Sequence, residues 1–181
     1  MDATTLRAIQ SPIKDRYRKD PDASRITLTA KGSLDDAGIA CKVDTGRALA
    51  VAGLHPGTGG TGQELCSGDM LLEALVACAG VTLKAIATAL EIPLRAATVT
   101  AEGDLDFRGT LGISQDVPVG FTAIRIAFDV ESDSPEEKLA QLLKLTERYC
   151  VVYQTLRQGV PVAVRFDRRD STGQRGSRAG A

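Results

Sequence analysis

Histidine occurs once in this chain, as His55, and that scarcity removes whole classes of chemistry. Multi-histidine metal sites need several imidazoles, and a Ser-His-Asp triad would have only His55 as its base. Cysteine is sparse as well: Cys41, Cys66, Cys78 and Cys150 are scattered, with no CxxC among them. Four thiols so placed are too few to staple a chain of 181 residues, and none of their spacings is a zinc knuckle. No metal is therefore expected. There is no run of about 18 uncharged apolar residues, so no membrane span is expected. Residues 1–20 alternate charged and polar side chains and lack the apolar core of a secretory leader, which makes a cytoplasmic location the expectation. Charge of one sign is lacking too. Lys and Arg number 22 and Asp and Glu 23, a net −1, which argues against nucleic acid or a membrane surface as partner.

What is present is a chain with 43% hydrophobic residues, enough for one domain with a sizeable core. Residues 1–24 read as an N-terminal arm with about one helical turn, 25–166 as the folded domain, and 167–181 as a disordered tail. Short β-segments are expected at 25–30, 39–44 and 48–52, the last two joined by the turn Asp44-Thr45-Gly46. The glycine-rich loop 53–62 lacks both the GK[ST] ending and the GxGxxG register of phosphate-binding loops. It reads instead as a permissive connection that lets backbone approach another element closely.

Residues 70–90 carry the strongest helical pattern. Leu71, Ala74, Leu75, Cys78, Thr82, Ala85, Ile86 and Ala89 recur at spacings of three and four. The other face holds Leu72, Val76 and Leu83, with Glu73 and Lys84 as the only charges inside, so the helix is expected in a core or an interface. Ser67 or Asp69 is expected to cap its start. Alternation predicts strands over 96–107 and 121–130. Ser134-Pro135-Glu136-Glu137 reads as an N-cap, a first-position proline and a capping-box acid. The helix that follows lines up Leu139, Leu142, Leu143, Thr146 and Cys150. A short helix restarts at Cys150 and stops near Gly159, and 160–166 reads as a last strand. Strands, helix, strands, helix, strand is an α+β order.

Among the thiols, Cys78 lies well inside its helix, too deep for that helix's own dipole to act on it. A thiolate there would depend on an arginine or lysine from elsewhere; otherwise Cys78 is a small buried hydrophobe. Cys150 would sit beside the free amides of a restarting helix, which favour a thiolate, or would simply complete its apolar stripe. Cys66 is a third redox thiol or a bystander, Cys41 strand filler. Arg108 holds a turn or lines a site, and His55 reads as structural.

Four blocks, in this order and spacing, resemble one family. They are the Gly-Gly loop running into the Cys78 helix (59–82), the turn Asp106-Phe107-Arg108-Gly109, the segment Val117-Pro118-Val119-Gly120-Phe121, and the terminal block from Arg148-Tyr149-Cys150-Val151-Val152 to Gly159-Val160-Pro161-Val162. Together they resemble the OsmC/Ohr proteins, bacterial thiol-dependent peroxidases of organic hydroperoxides, over roughly residues 25–166. The resemblance implies an OsmC-like fold: curved antiparallel sheets wrapped around a long buried central helix in an intertwined homodimer. It implies that Cys78 attacks the peroxide and that Cys150 resolves the sulfenic acid into a disulfide. An arginine and a glutamate support the thiolate in the better-studied members. Here the glutamate position is Gly68, with Asp69 beside it; Arg25, Arg47, Arg16 and Arg18 are the substitutes for an arginine missing near Lys31-Gly32-Ser33. Val151 stands where many members have proline.

The function implied is reduction of organic, fatty-acyl type hydroperoxides in oxidative-stress defence, with no bound cofactor and an external dithiol as reductant. The alternative is a redox-inactive module of the same fold that binds a small apolar ligand. A cysteine hydrolase is a third reading, with only His55 as base.

Overall fold

A computed structural model describes residues 2–19, 31–34, 40–44, 49–112 and 114–166. Its longest element, α2 (Ser67–Ala89), follows from an apolar run interrupted inside by few charges. By length and composition alone α2 would suffice to cross a membrane, contrary to the expectation that no stretch qualifies. Leu75, Ala79, Leu83 and Ala87, four residues apart, are buried, and this stripe packs on the rest of the chain. Leu83 and Ala87 meet Ile92 and Leu142 in the core, with Phe128, Val130 and Leu139 against them. The core thus lies between α2, α4 (Glu136–Tyr149) and the pair β5 (Ala96–Leu105) and β6 (Phe121–Glu131). The short helix α5 (Val151–Gln158) packs on both α2 and α4, and a single helical turn, α3 (Phe107–Thr110), follows β5.

Among the described residues the strands form two sheets. β1 (Lys31–Leu34), β2 (Ala40–Asp44) and β3 (Leu49–Gly53) are antiparallel neighbours, and β4 (Leu65–Cys66) joins β3 in parallel. The β2–β3 register, with Asp44 opposite Leu49, is the expected hairpin. β5 and β6 pair antiparallel, with Glu102 opposite Arg125. Inward positions Val99, Ala101, Ile124 and Ile126 are half-buried between exposed neighbours, as alternation requires. The Gly-rich loop does allow a close approach: a Cβ on Gly60 would lie 1.7 Å from the Leu54 carbonyl oxygen, which only glycine avoids.

Several expectations need correction. The α+β class holds, but neither sheet is curved or closed around α2 among the described residues. One sheet contains a parallel pair and the other has only two strands, too few to wrap a helix. Within the single chain one stripe of α2 is buried, while Leu71 and Val81 are exposed. Apolarity all round a helix says that it needs cover, not where the cover comes from. The arm is a helix, α1 (Ala3–Lys19), which carries Pro12 within it. It docks by Ala3 and by an Arg7–Glu91 ion pair of 3.0 Å at the far end of α2. Residues 160–166 form no strand, and Val160, Val162, Val164 and Phe166 are exposed. At the start of α4 the cap falls on Pro135, not Ser134, and no side chain caps it; Cys66 likewise occupies the cap of α2. The segment 25–30 and the tail 167–181 lie outside the described residues.

Candidate active site

The site is built at the joint between α4 and α5. Leu142, Thr146 and Cys150, four residues apart, are 2%, 0% and 1% exposed. The Thr146 hydroxyl donates to the Leu142 carbonyl at 2.8 Å, and the Cys150 amide donates to the Thr146 carbonyl at 2.9 Å. At Cys150 the backbone turns extended (φ −73°, ψ 109°), which ends α4 and lets α5 start at Val151. Gln154 clasps the joint. Its amide donates to the Cys150 carbonyl at 2.9 Å, and its side chain donates to the Glu147 carbonyl at 2.7 Å. The first amides of α5 have no acceptor within their own helix. They face the thiols.

Cys78 is half-buried on α2. Burial pushes its thiol up, but the amides of Val152 and Val151, together with the Cys150 thiol, hold it below its ordinary value, with a smaller part from Thr82. Thr82 has one hydroxyl proton and donates it to the Cys78 carbonyl at 2.7 Å, so the amides are its firmer support. Cys150 is raised. Burial is the main cause, the adjacent Cys78 adds to it, and the Tyr153 and Val152 amides only partly oppose it. The two thiols are close enough that each shifts the ionisation of the other, and both are free. Cys78 therefore draws on a helix N-terminus after all, but that of α5, where positive dipole and unpaired amides favour an anion. No arginine or lysine figures among the leading causes of its shift. The restart at Cys150 was legible in the sequence. The thiol it serves was not, because backbone amides carry no residue signature.

The other candidates fall elsewhere. Asp69 is exposed in the first turn of α2, about 13 Å along the axis from Cys78 of the same chain. Cys66, half-buried at the cap, is about 18 Å away along that axis, beyond disulfide reach. Arg108 is committed to a turn. Its guanidinium and amide hold Asp106 down to about 2, with contacts of 2.5 to 3.0 Å. His55 caps a short turn by accepting from the Gly57 amide at 2.9 Å, and it stacks on Phe107 at 5.0 Å. Arg25 and Arg47 lie outside the described residues, and Arg16 and Arg18 lie on α1. Among the described residues no three His, Cys, Asp or Glu side chains are grouped to hold a metal ion. A cavity of about 410 Å³, which sequence reasoning missed, adjoins the joint between α2, α5 and β6. Leu75, one turn before Cys78, and Tyr153, whose amide faces Cys150, line it.

Residues 60–165, more than half of the chain, match the family described as OsmC-like protein. None of the curated proteins compared matches the chain. An OsmC-like protein from Mycoplasma pneumoniae superposes with a TM-score of 0.62 at 17% identity, over 75% of this chain and 89% of that one. An organic hydroperoxide resistance protein from Elizabethkingia anophelis gives 0.58 at 16% identity, over 75% and 92%. One from Legionella pneumophila gives 0.55 at 16%, over 74% and 91%. At such identities a solved structure speaks for the fold alone. Descent is shown by the family match, and by it the chain belongs to the OsmC-like protein family.

Proposed function

We propose that the protein is a thiol-dependent peroxidase of organic hydroperoxides, with Cys78 as attacking and Cys150 as resolving thiol. The observation that carries this is the inequality of two adjacent thiols: Cys78 half-exposed and lowered, Cys150 buried and raised. A thiolate is the nucleophile, so the lowered, accessible sulfur meets the peroxide first. Its lone pair attacks the distal peroxide oxygen, the O–O bond breaks, and the alkoxide leaves and takes a proton to become the alcohol. Cys78 is then a sulfenic acid. Cys150 gives up its proton and attacks that sulfur. The S–O bond breaks, and the departing hydroxide joins the proton as water. An external dithiol exchanges with the disulfide, is itself oxidised, and restores both thiols. No bound cofactor enters the cycle. The cavity near the thiol joint, walled for the larger part by Leu75, Phe121, Ile124, Ile126 and Leu156, favours fatty-acyl type hydroperoxides over small hydrated peroxides, and the solved relatives described as organic hydroperoxide resistance proteins support the same reading. Such a cycle would serve in oxidative-stress defence.

The test is peroxide loss with reduced protein and cumene hydroperoxide. Wild type is expected to consume it and Cys78→Ser to lose that activity; equal rates in the two would sink the reading. A second reading, a redox-inactive module holding a small apolar ligand, is favoured by the same cavity and by Gly68 at the family's glutamate position. It predicts binding without Cys78-dependent loss of peroxide. We also propose that the protein works as a homodimer. Leu71, Ala74 and Val81 lie on one side of α2, where Leu71 is 37% and Val81 73% exposed, and a second copy is the apolar partner that would cover this face.

A further inference from the structure

Gln154 is a half-buried polar side chain at the thiol joint that the peroxidase cycle does not use. In an unbroken α-helix each amide donates to the carbonyl four residues earlier, so the Val151 amide would belong to the Glu147 carbonyl. Up to Cys150 that rule holds, its amide donating to Thr146 at 2.9 Å, and it resumes where the Gln154 amide donates to Cys150 at 2.9 Å. Between the two, the extended backbone of Cys150 (φ −73°, ψ 109°) turns the Val151 amide toward Cys78. The Glu147 carbonyl is thereby one of the acceptors that a helix end leaves without a partner. It accepts the Gln154 side-chain N–H instead, at 2.7 Å and across seven residues. Gln158 donates to the Gln154 side-chain oxygen, which leaves the nitrogen end turned to Glu147.

We infer that Gln154 is a positioning residue for Cys78: its side-chain N–H takes the place of the Val151 amide on the Glu147 carbonyl and so frees that amide for the thiol. Without a donor at residue 154, the carbonyl would compete for the Val151 amide, because an acceptor left unpaired in a half-buried joint is costly. Closing that bond would straighten the joint between α4 and α5 and draw the amide off the sulfur. One side chain, which touches no substrate, thus holds open the helix break on which the thiolate depends. Among the described residues, the groups acting most on Cys78 are the α5 amides, the Cys150 thiol and the Thr82 hydroxyl, so a change at Gln154 is read against a single titrating neighbour.

Gln154→Met keeps the length and helix propensity of the side chain and removes its donor. At pH 7, Cys78 of the reduced variant should react with iodoacetamide roughly threefold to tenfold more slowly than in wild type, the scale of one hydrogen bond. Its plateau rate at high pH should not fall, so the pH profile moves up while access to the sulfur is kept. An unmoved profile overturns the inference, whether or not the Tm drops, since a merely structural bond would change stability alone. In wild type, hydrogen exchange followed by NMR should find the Gln154 side-chain amide protected. Free exchange there overturns the inference even if Gln154→Met does not fold. Peroxide loss, which rests on the peroxidase reading, should slow by the same factor in Gln154→Met. Cys78-dependent peroxide loss with an unmoved alkylation profile overturns the role of Gln154 and leaves the peroxidase standing. A raised profile, with wild-type peroxide loss no faster than that of Cys78→Ser, keeps the role of Gln154 and overturns the peroxidase.

Discussion

Cys78 and Cys150 are the same residue type a few ångströms from one helix end, and their surroundings drive them in opposite directions. The α5 amides reach both, but Cys150 is 1% exposed while Cys78 is half-buried, so desolvation of the thiolate prevails at one and not at the other. A lowered thiol is ionised over more of the neutral range, so Cys78 should react with iodoacetamide with a pH midpoint below the ordinary value of about 8.5. Val152→Pro removes the amide that contributes most to the lowering, at a helix position where proline is tolerated. Its midpoint for Cys78, read by peptide mass spectrometry, should move up; no movement would mean that the amides are not what holds the thiolate. The thiol pair was legible in the sequence through the family resemblance. The arginine or lysine expected beside Cys78 is left open, since Arg25 and Arg47 lie outside the described residues; the donors that lower it here are main-chain groups that look the same in every sequence.

At the scale of elements, periodicity served well where burial and pattern agree. α2, the β2–β3 hairpin, β5, β6 and the α4–Cys150–α5 break all stand close to where spacing put them. It failed where the pattern had no partner to pack on. The alternation at 160–166 satisfies the strand rule, yet its valines are exposed, and a strand exists only through its neighbour. Pro12 suggested an arm, but the helix runs through it. Ser134 suggested a cap, which the backbone places one residue later. The α2 face of Leu71 and Val81 makes the strongest claim at this scale. If a second copy covers it, Val81→Glu puts a charge into an apolar interface, at a cost of several kcal/mol. Sedimentation should find wild type dimeric at micromolar concentration and Val81→Glu largely monomeric. A monomeric wild type would end the dimer proposal.

For the whole molecule, family and class were readable, but the arrangement of sheets was not. Curved sheets around a buried helix were expected; among the described residues two small sheets and a helix covered on one face were found. The sequence of α2 reports only that it is apolar nearly all round, and the same composition suits a core, an interface or a membrane. What the fold achieves as a unit is to bring residue 78 of one helix against the start of another at residue 151, and the functional account depends on that meeting. The direct test is the intact mass of reduced protein after one equivalent of organic hydroperoxide, followed by peptide mapping. The account predicts loss of two hydrogens with the Cys78 and Cys150 peptides joined, and a single added oxygen on Cys78 in Cys150→Ser. An unchanged mass, or a bond formed through Cys66 in place of either thiol, would contradict it.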